Sequence, residues 1–308
     1  MHVDMAGVNP APVVPMTAEG ETIDEAGLRR HLDVLVETRG VNGLVMNGHA
    51  GEVYGLDPTE RARVVEIAAD VADDGTPVVS GITGGSTSEV IDAAWDAVEA
   101  GADGLLVVPP HTPISERREA AVTYVERIAG AIDVPLVIFQ HPLWAGGTYP
   151  PETLAEIVEV EGVTAVKNAV WDVDHFQDDV RAIRDSDADV QVLVGNDEHV
   201  LPSFSLGTDG AVLELAAVIP EEIVDLYRAV EDGHPGEARR IYERIEPFVD
   251  AMYAPPIADS HTRLKVALAE LGVFEHATPR PPAMPVPDEE RERIAALIEG
   301  PVRVTPSP

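Results

Sequence analysis

The 308-residue chain has no cysteine, which excludes disulfides, thiolate metal sites, thiolate nucleophiles and cysteine-bound iron–sulfur clusters. It has almost no lysine. Lys167 and Lys265 are the only two, and every other positive side chain is arginine. Basic residues number 21 against 55 acidic ones, a net charge of −34. Such a surface repels nucleic acid and anionic lipid and argues against either as a partner. An acidic, lysine-poor surface suits a salt-rich cytoplasm, where screening removes the self-repulsion, so a cytoplasmic protein of a high-salt organism is predicted. No apolar run approaches the ~18 residues of a membrane span. The opening residues, from Met1 to Val14, lack the basic and apolar parts of a secretion signal.

Short apolar runs alternate with amphipathic stretches. Strands are predicted at Pro12–Met16, Gly43–Asn47, Pro77–Gly81, Gly104–Val108, Pro135–Phe139, Val163–Lys167, Val190–Val194 and Ala211–Leu215. Their mostly unbroken apolar character suits strands covered on both faces. Helical patterns fall between them, several with start signals: Asp57 before Pro58, and Ser86 or Thr87 before Glu89. Gly40-Val41-Asn42-Gly43, Gly101-Ala102-Asp103-Gly104 and Gly207-Thr208-Asp209-Gly210 each join a helix to the next strand, one turn recurring. Repeated βα units over residues 1–232 predict an α/β fold, a (β/α)8 TIM barrel, with a doubly wound open sheet as runner-up. No Gly-x-Gly-x-x-Gly follows the first strand, which lowers that runner-up. Residues 233–275 are predicted to form additional C-terminal helices packed on the barrel. Residues 276–308 read as a proline-rich link, a charged helix and a tail.

Barrel enzymes carry their chemistry at the C-terminal ends of strands. The polar residues expected there are Asn47 to Glu52, His111 and Thr112, Gln140 and His141, Lys167 and Asn168, Asn196 to Glu198, and Glu214. Lys167 closes an apolar strand. Burial there lowers an amine's pKa and frees it as a nucleophile, which arginine cannot become. Lys265 lies on a helical pattern and is expected to serve at the surface or in packing. His141 is two residues beyond Phe139, so the two share a strand face and His141 is a candidate acid/base group. His49 and His111 are its reserves.

These segments together resemble the dihydrodipicolinate synthase / N-acetylneuraminate lyase family. The likeness rests on Gly48-His49-Ala50-Gly51-Glu52, Leu56-Asp57-Pro58, Val107-Val108-Pro109-Pro110, Ala165-Val166-Lys167, Gly195-Asn196-Asp197, Gly207-Thr208-Asp209-Gly210 and Lys265-Val266-Ala267-Leu268. It runs in register over about residues 10–275. It implies a class I aldolase or dehydratase, usually a homotetramer, in which Lys167 forms a Schiff base with a 2-oxo acid such as pyruvate. It also implies that the Gly48–Gly51 turn, Ala50 included, holds the acid's carboxylate through backbone N–H groups, with His49, His111, Phe139 and Val212 lining the substrate. Phe139 stands where members usually carry a tyrosine that moves protons. His49 and Thr112 replace the synthase relay's threonine and tyrosine, and Trp144 replaces the arginine that grips the second substrate. Such departures point away from the synthase reaction.

The lead expectation is therefore a lyase, without metal or other cofactor, for pyruvate-type aldol chemistry or for a 2-keto-3-deoxy sugar acid. The expected partners are this small molecule and further copies of the chain, as a tetramer or dimer. Three alternatives stand beside it: 4-hydroxy-tetrahydrodipicolinate synthase, a metal-dependent barrel enzyme, and a barrel that binds a keto acid without turning it over. Asp197-Glu198-His199 with His49 or His111 is the metal grouping weighed. His-Glu-x-x-His and Gly-x-Ser-x-Gly are absent.

Overall fold

The computed structural model describes residues 3–73, 75–110, 112, 114–142 and 147–299. Its strands are β1 Gly7–Pro10, β2 Leu44–Met46, β3 Val78–Ile82, β4 Gly104–Val107, β5 Leu136–Gln140, β6 Val163–Asn168, β7 Gln191–Val194 and β8 Gly210–Leu213. The interleaved helices are α1 Glu25–Glu37, α2 Pro58–Val71, α3 Thr87–Glu99, α4 Arg118–Ala129, α5 Pro151–Val158, α6 Val173–Arg184, α7 Val200–Phe204 and α8 Pro220–Glu231. Three more follow: α9 Pro235–Met252, α10 Ser260–Glu270 and α11 Asp288–Glu299.

All the paired strands are parallel, in the order β1-β8-β7-β6-β5-β4-β3-β2. The seam between β1 and β2 is drawn together by the Asn42 amide, which donates to the Val8 carbonyl at 2.8 Å. The result is a (β/α)8 barrel with additional C-terminal helices.

Alternation along each strand divides the apolar residues into two sets. Leu136, Ile138 and Val166 face the helices, while Val137, Phe139, Ala165, Leu193 and Val212 fill the barrel. With a side-chain period of two, Lys167 follows Ala165 onto the interior face. The Asp57 side chain accepts the Glu60 amide, and the Glu60 carboxylate accepts the Asp57 amide, a reciprocal cap that starts α2. The recurring turn is real: Gly40, Gly101 and Gly207 all have positive φ, at 101°, 105° and 81°.

The first strand corrects the expectation. It is Gly7–Pro10, not Pro12–Met16. Pro12 and Pro15 have no N–H to give to a ladder, so the buried Val13 and Val14 pack as loop instead. Asn9 makes the polar-looking segment a strand. Its amide nitrogen reaches the carbonyls of Met5 at 2.8 Å and Ala211 at 3.0 Å from inside the core.

Beyond the barrel, Arg263 of α10 is 1% exposed and acts as a hub. It donates to the carbonyls of Met252, Ala254 and Pro256, and its Nε lies 2.6 Å from Glu290 of α11. No described helix is long and apolar enough to cross a membrane.

Candidate active site

Lys167 sits at the C-terminal end of β6, 3% exposed. Its Nζ lies 4.3 Å from the centre of the Phe139 ring on β5, the residue paired with it in register. Its stem lies against Gly195 at the end of β7, where a Cβ would come within 2.8 Å of Cγ and 2.9 Å of Cε. Only glycine leaves that path open. None of the ion pairs among the described residues involves Lys167. Burial holds its amine below the ordinary lysine range, against the pull of the carboxyl groups of Glu214 and Asp197.

A buried polar lattice fixes the ends of β5 and β6 on either side. Gln140 and Asn168 both donate to Oδ2 of Asp179 on α6, at 3.1 and 3.0 Å. Gln140 also accepts the Tyr149 amide at 2.8 Å and donates to the Tyr149 carbonyl at 3.0 Å, pinning the chain that returns from the β5 loop. Asp179 is raised to about 6 by burial. Asn196 donates to the Val170 carbonyl at 2.7 Å, and Asp197 accepts the Leu215 amide at 2.8 Å.

Three histidines gather above the lysine. His141 meets Phe139 edge-on, ring centres 5.0 Å apart, and meets His49 at 4.7 Å. His49 meets His261 of α10, also at 4.7 Å. Burial lowers His49 to about 4 and His141 to about 3, so both are neutral near pH 7. Glu214, just past β8, stands 3.4 Å from His261. Burial is the largest single influence and would raise its carboxyl, but His261, His49 and Lys167 together hold it down at about 2. Burial acts to lower His261, and Glu214 reverses that, so this histidine rises. A cavity of about 50 Å³ is lined by His49, His141, Ala169, Gly195, Asp197, Glu214 and Tyr253, among others. That is room for a few water-sized groups.

The Gly48–Gly51 turn crosses the mouth between β2 and α2. Ala50 is fully buried, and the amides of Ala50 and Gly51 donate to no acceptor among the described residues. Val212 is buried inside the barrel. His111 and Trp144 lie outside the described residues.

Of the two roles expected for Lys265, the structure shows packing rather than surface. It is fully buried and its Nζ lies 2.5 Å from Glu52, in the turn after β2. The acidic and histidine groups that converge are His49, Glu214 and His261, whose ligand atoms all lie within 4.8 Å of one another, rather than a set built on Asp197-Glu198-His199. His261 and Tyr253 were not identified from sequence. His261 lies in α10 and Tyr253 immediately follows α9, and only the packing of these helices brings them to Glu214.

The chain matches the dihydrodipicolinate synthetase family over residues 4–300. It is 31% identical over 296 residues to the 4-hydroxy-tetrahydrodipicolinate synthase of Methanothrix thermoacetophila, covering 95% of each chain. It is 33% identical over 302 residues to the enzyme of the same name from Salinibacter ruber, covering 97% of each. A prophage protein of the dihydrodipicolinic acid synthase family from E. coli K12, solved in complex with pyruvate, superposes with a TM-score of 0.88 at 25% identity, covering 96% of this chain and 98% of that one. The fold and the strand-end site define a barrel enzyme of the lyase type. The chain belongs to the dihydrodipicolinate synthetase family.

Proposed function

We propose that this enzyme is a class I lyase that binds a 2-oxo acid through a Schiff base on Lys167 and cleaves or dehydrates a 2-keto-3-deoxy acid. The observation that carries the reading is the Lys167 amine: buried at the C-terminal end of β6, over the Phe139 ring, and free of an ion pair among the described residues. An uncharged amine attacks the ketone carbon, and the carbinolamine loses water to give an imine. Once protonated, the imine draws electrons from the adjoining carbon. Breaking the C3–C4 bond releases an aldehyde and leaves the pyruvate enamine, with the C4 hydroxyl proton passing to a base. Alternatively, loss of a C3 proton forms the enamine, which expels the C4 hydroxyl as water. His141 is the proposed base, since its ring touches Phe139, over which the amine lies, and it is neutral at working pH. The free amides of Ala50 and Gly51 are the proposed carboxylate seat.

A second reading, 4-hydroxy-tetrahydrodipicolinate synthase, is favoured by the name of the curated relatives. Against it stands Phe139, which has no proton to move. In either case we read the enzyme as a cytoplasmic homo-oligomer adapted to high salt, in keeping with its charge of −34. The test is incubation with 2-keto-3-deoxy acids, with product analysis and borohydride added in parallel. Pyruvate plus aldehyde, or loss of water, with inactivation that depends on substrate, is expected. Recovery of intact substrate and full resistance to borohydride would overturn the proposal.

A further inference from the structure

We propose that His49, Glu214 and His261 form a binding site for a divalent transition-metal ion, of the zinc or cobalt kind, at the barrel mouth. The site is independent of the Schiff-base reading, because it uses none of the atoms of Lys167.

Three separate elements supply the ligands: the turn after β2, the residue following β8, and the first turn of α10. Their ligand atoms fall within 4.8 Å of one another. The 3.4 Å from His261 Nε2 to Glu214 Oε1 is a poor hydrogen bond but matches the edge of a tetrahedron whose metal–ligand bonds are about 2.0–2.1 Å. His261 Nε2 is buried and has no hydrogen-bond partner among the described residues. A nitrogen left this way costs free energy, and a cation between it and the carboxylate removes the cost. The His49 and His261 rings meet at 68°, an angle at which two ring nitrogens can converge on one point.

The rest of the neighbourhood suits a metal as well. The Tyr253 hydroxyl stands 3.5 Å from the other oxygen of Glu214, where an outer partner would orient a ligating carboxylate. Lys265, one turn beyond His261 on the same face of α10, is tied to Glu52 in the turn that carries His49, and so holds the two histidines in register. Two imidazoles and one carboxylate select zinc-like ions over magnesium and calcium, which prefer oxygen. Three protein ligands would leave a fourth position for an oxygen ligand, and two of the three, His49 and Glu214, also line the small cavity shared with His141 and Gly195.

The test is Co2+ and Zn2+ titration of the full-length protein after chelation and dialysis, in about 1 M KCl so that diffuse attraction to the acidic surface is screened. Visible cobalt absorption and calorimetry report the ion without any activity assay. One ion per chain is expected. Glu214→Gln, His261→Asn and His49→Asn should each weaken binding by about tenfold or more, while the exposed His234→Asn leaves it unchanged. Unfolding curves identify any variant that fails to fold, and His49→Asn, on a turn, keeps the test open if a helix variant is lost. Absence of saturable binding, or equal affinity in wild type and all three ligand variants, would overturn the site. Borohydride trapping at Lys167 in the presence of chelator scores the Schiff-base reading separately.

Discussion

The chain's two lysines are both buried, yet their surroundings are opposite. Lys265 meets a carboxylate at 2.5 Å and joins a C-terminal helix to the turn after β2. Lys167 meets an aromatic face and a glycine, with its nearest carboxyl groups acting from a distance. On the proposed reading, burial is not what separates the reactive amine from the structural one; the partner is. An amine locked against a carboxylate serves as a clamp. One desolvated without a close anion gives the proton up and becomes a nucleophile.

The largest expected effect of breaking this contrast falls on Lys167. Lys167→Arg keeps a long basic side chain but cannot form an imine, and turnover should drop by roughly three orders of magnitude or more. Steady-state assays and circular dichroism together check this. Glu52→Gln attacks the other lysine. It strands the Lys265 charge in the core and should cost about 3–5 kcal/mol in denaturant unfolding. Lys265→Met in the same chain should recover much of that loss. If the single and double variants are equally unstable, the pair is not the clamp described here.

Gly195→Ala sharpens the comparison at the reactive side. Its Cβ would come within 2.8 Å of the Lys167 stem, so the amine must move. A displacement near 1 Å should cost up to about a hundredfold in rate, with a much smaller change in stability. A rate equal to wild type would show that the stem's path is not confined. The pH dependence follows the same logic. Burial lowers the Lys167 pKa, so between that value and the ordinary 10.5 the unfolded chain binds the proton that the folded one lacks. Imine formation should then fall as pH drops through the lowered value, and should already be complete well below 10.5. An acid limb centred at the ordinary lysine value would contradict the assignment. The smallest effect is expected from salt. Raising KCl should lift the melting temperature by a few degrees by screening the net charge of −34, and a flat response would remove the high-salt reading.

Much of this was legible in the sequence because its cause is local. Unbroken apolar runs between capped helices dictate a parallel sheet covered on both faces, and the i, i+2 spacing puts Phe139 with His141, and Ala165 with Lys167, on shared faces. The first strand was misplaced because hydrophobicity outweighed the missing proline N–H groups at Pro12 and Pro15. What remained hidden was tertiary. Nothing near Lys265 announces Glu52, more than two hundred residues earlier in the chain. Nothing near Glu214 announces His261 and Tyr253, because the packing of α9 and α10 against the barrel mouth is a property of the whole fold.

The most direct measurement uses the two lysines as each other's control. The protein is incubated with pyruvate and borohydride, digested, and mapped by mass. A reduced pyruvate adduct is expected on the peptide bearing Lys167, with Lys265 unmodified. An adduct on neither, or on both alike, would contradict the Schiff-base reading.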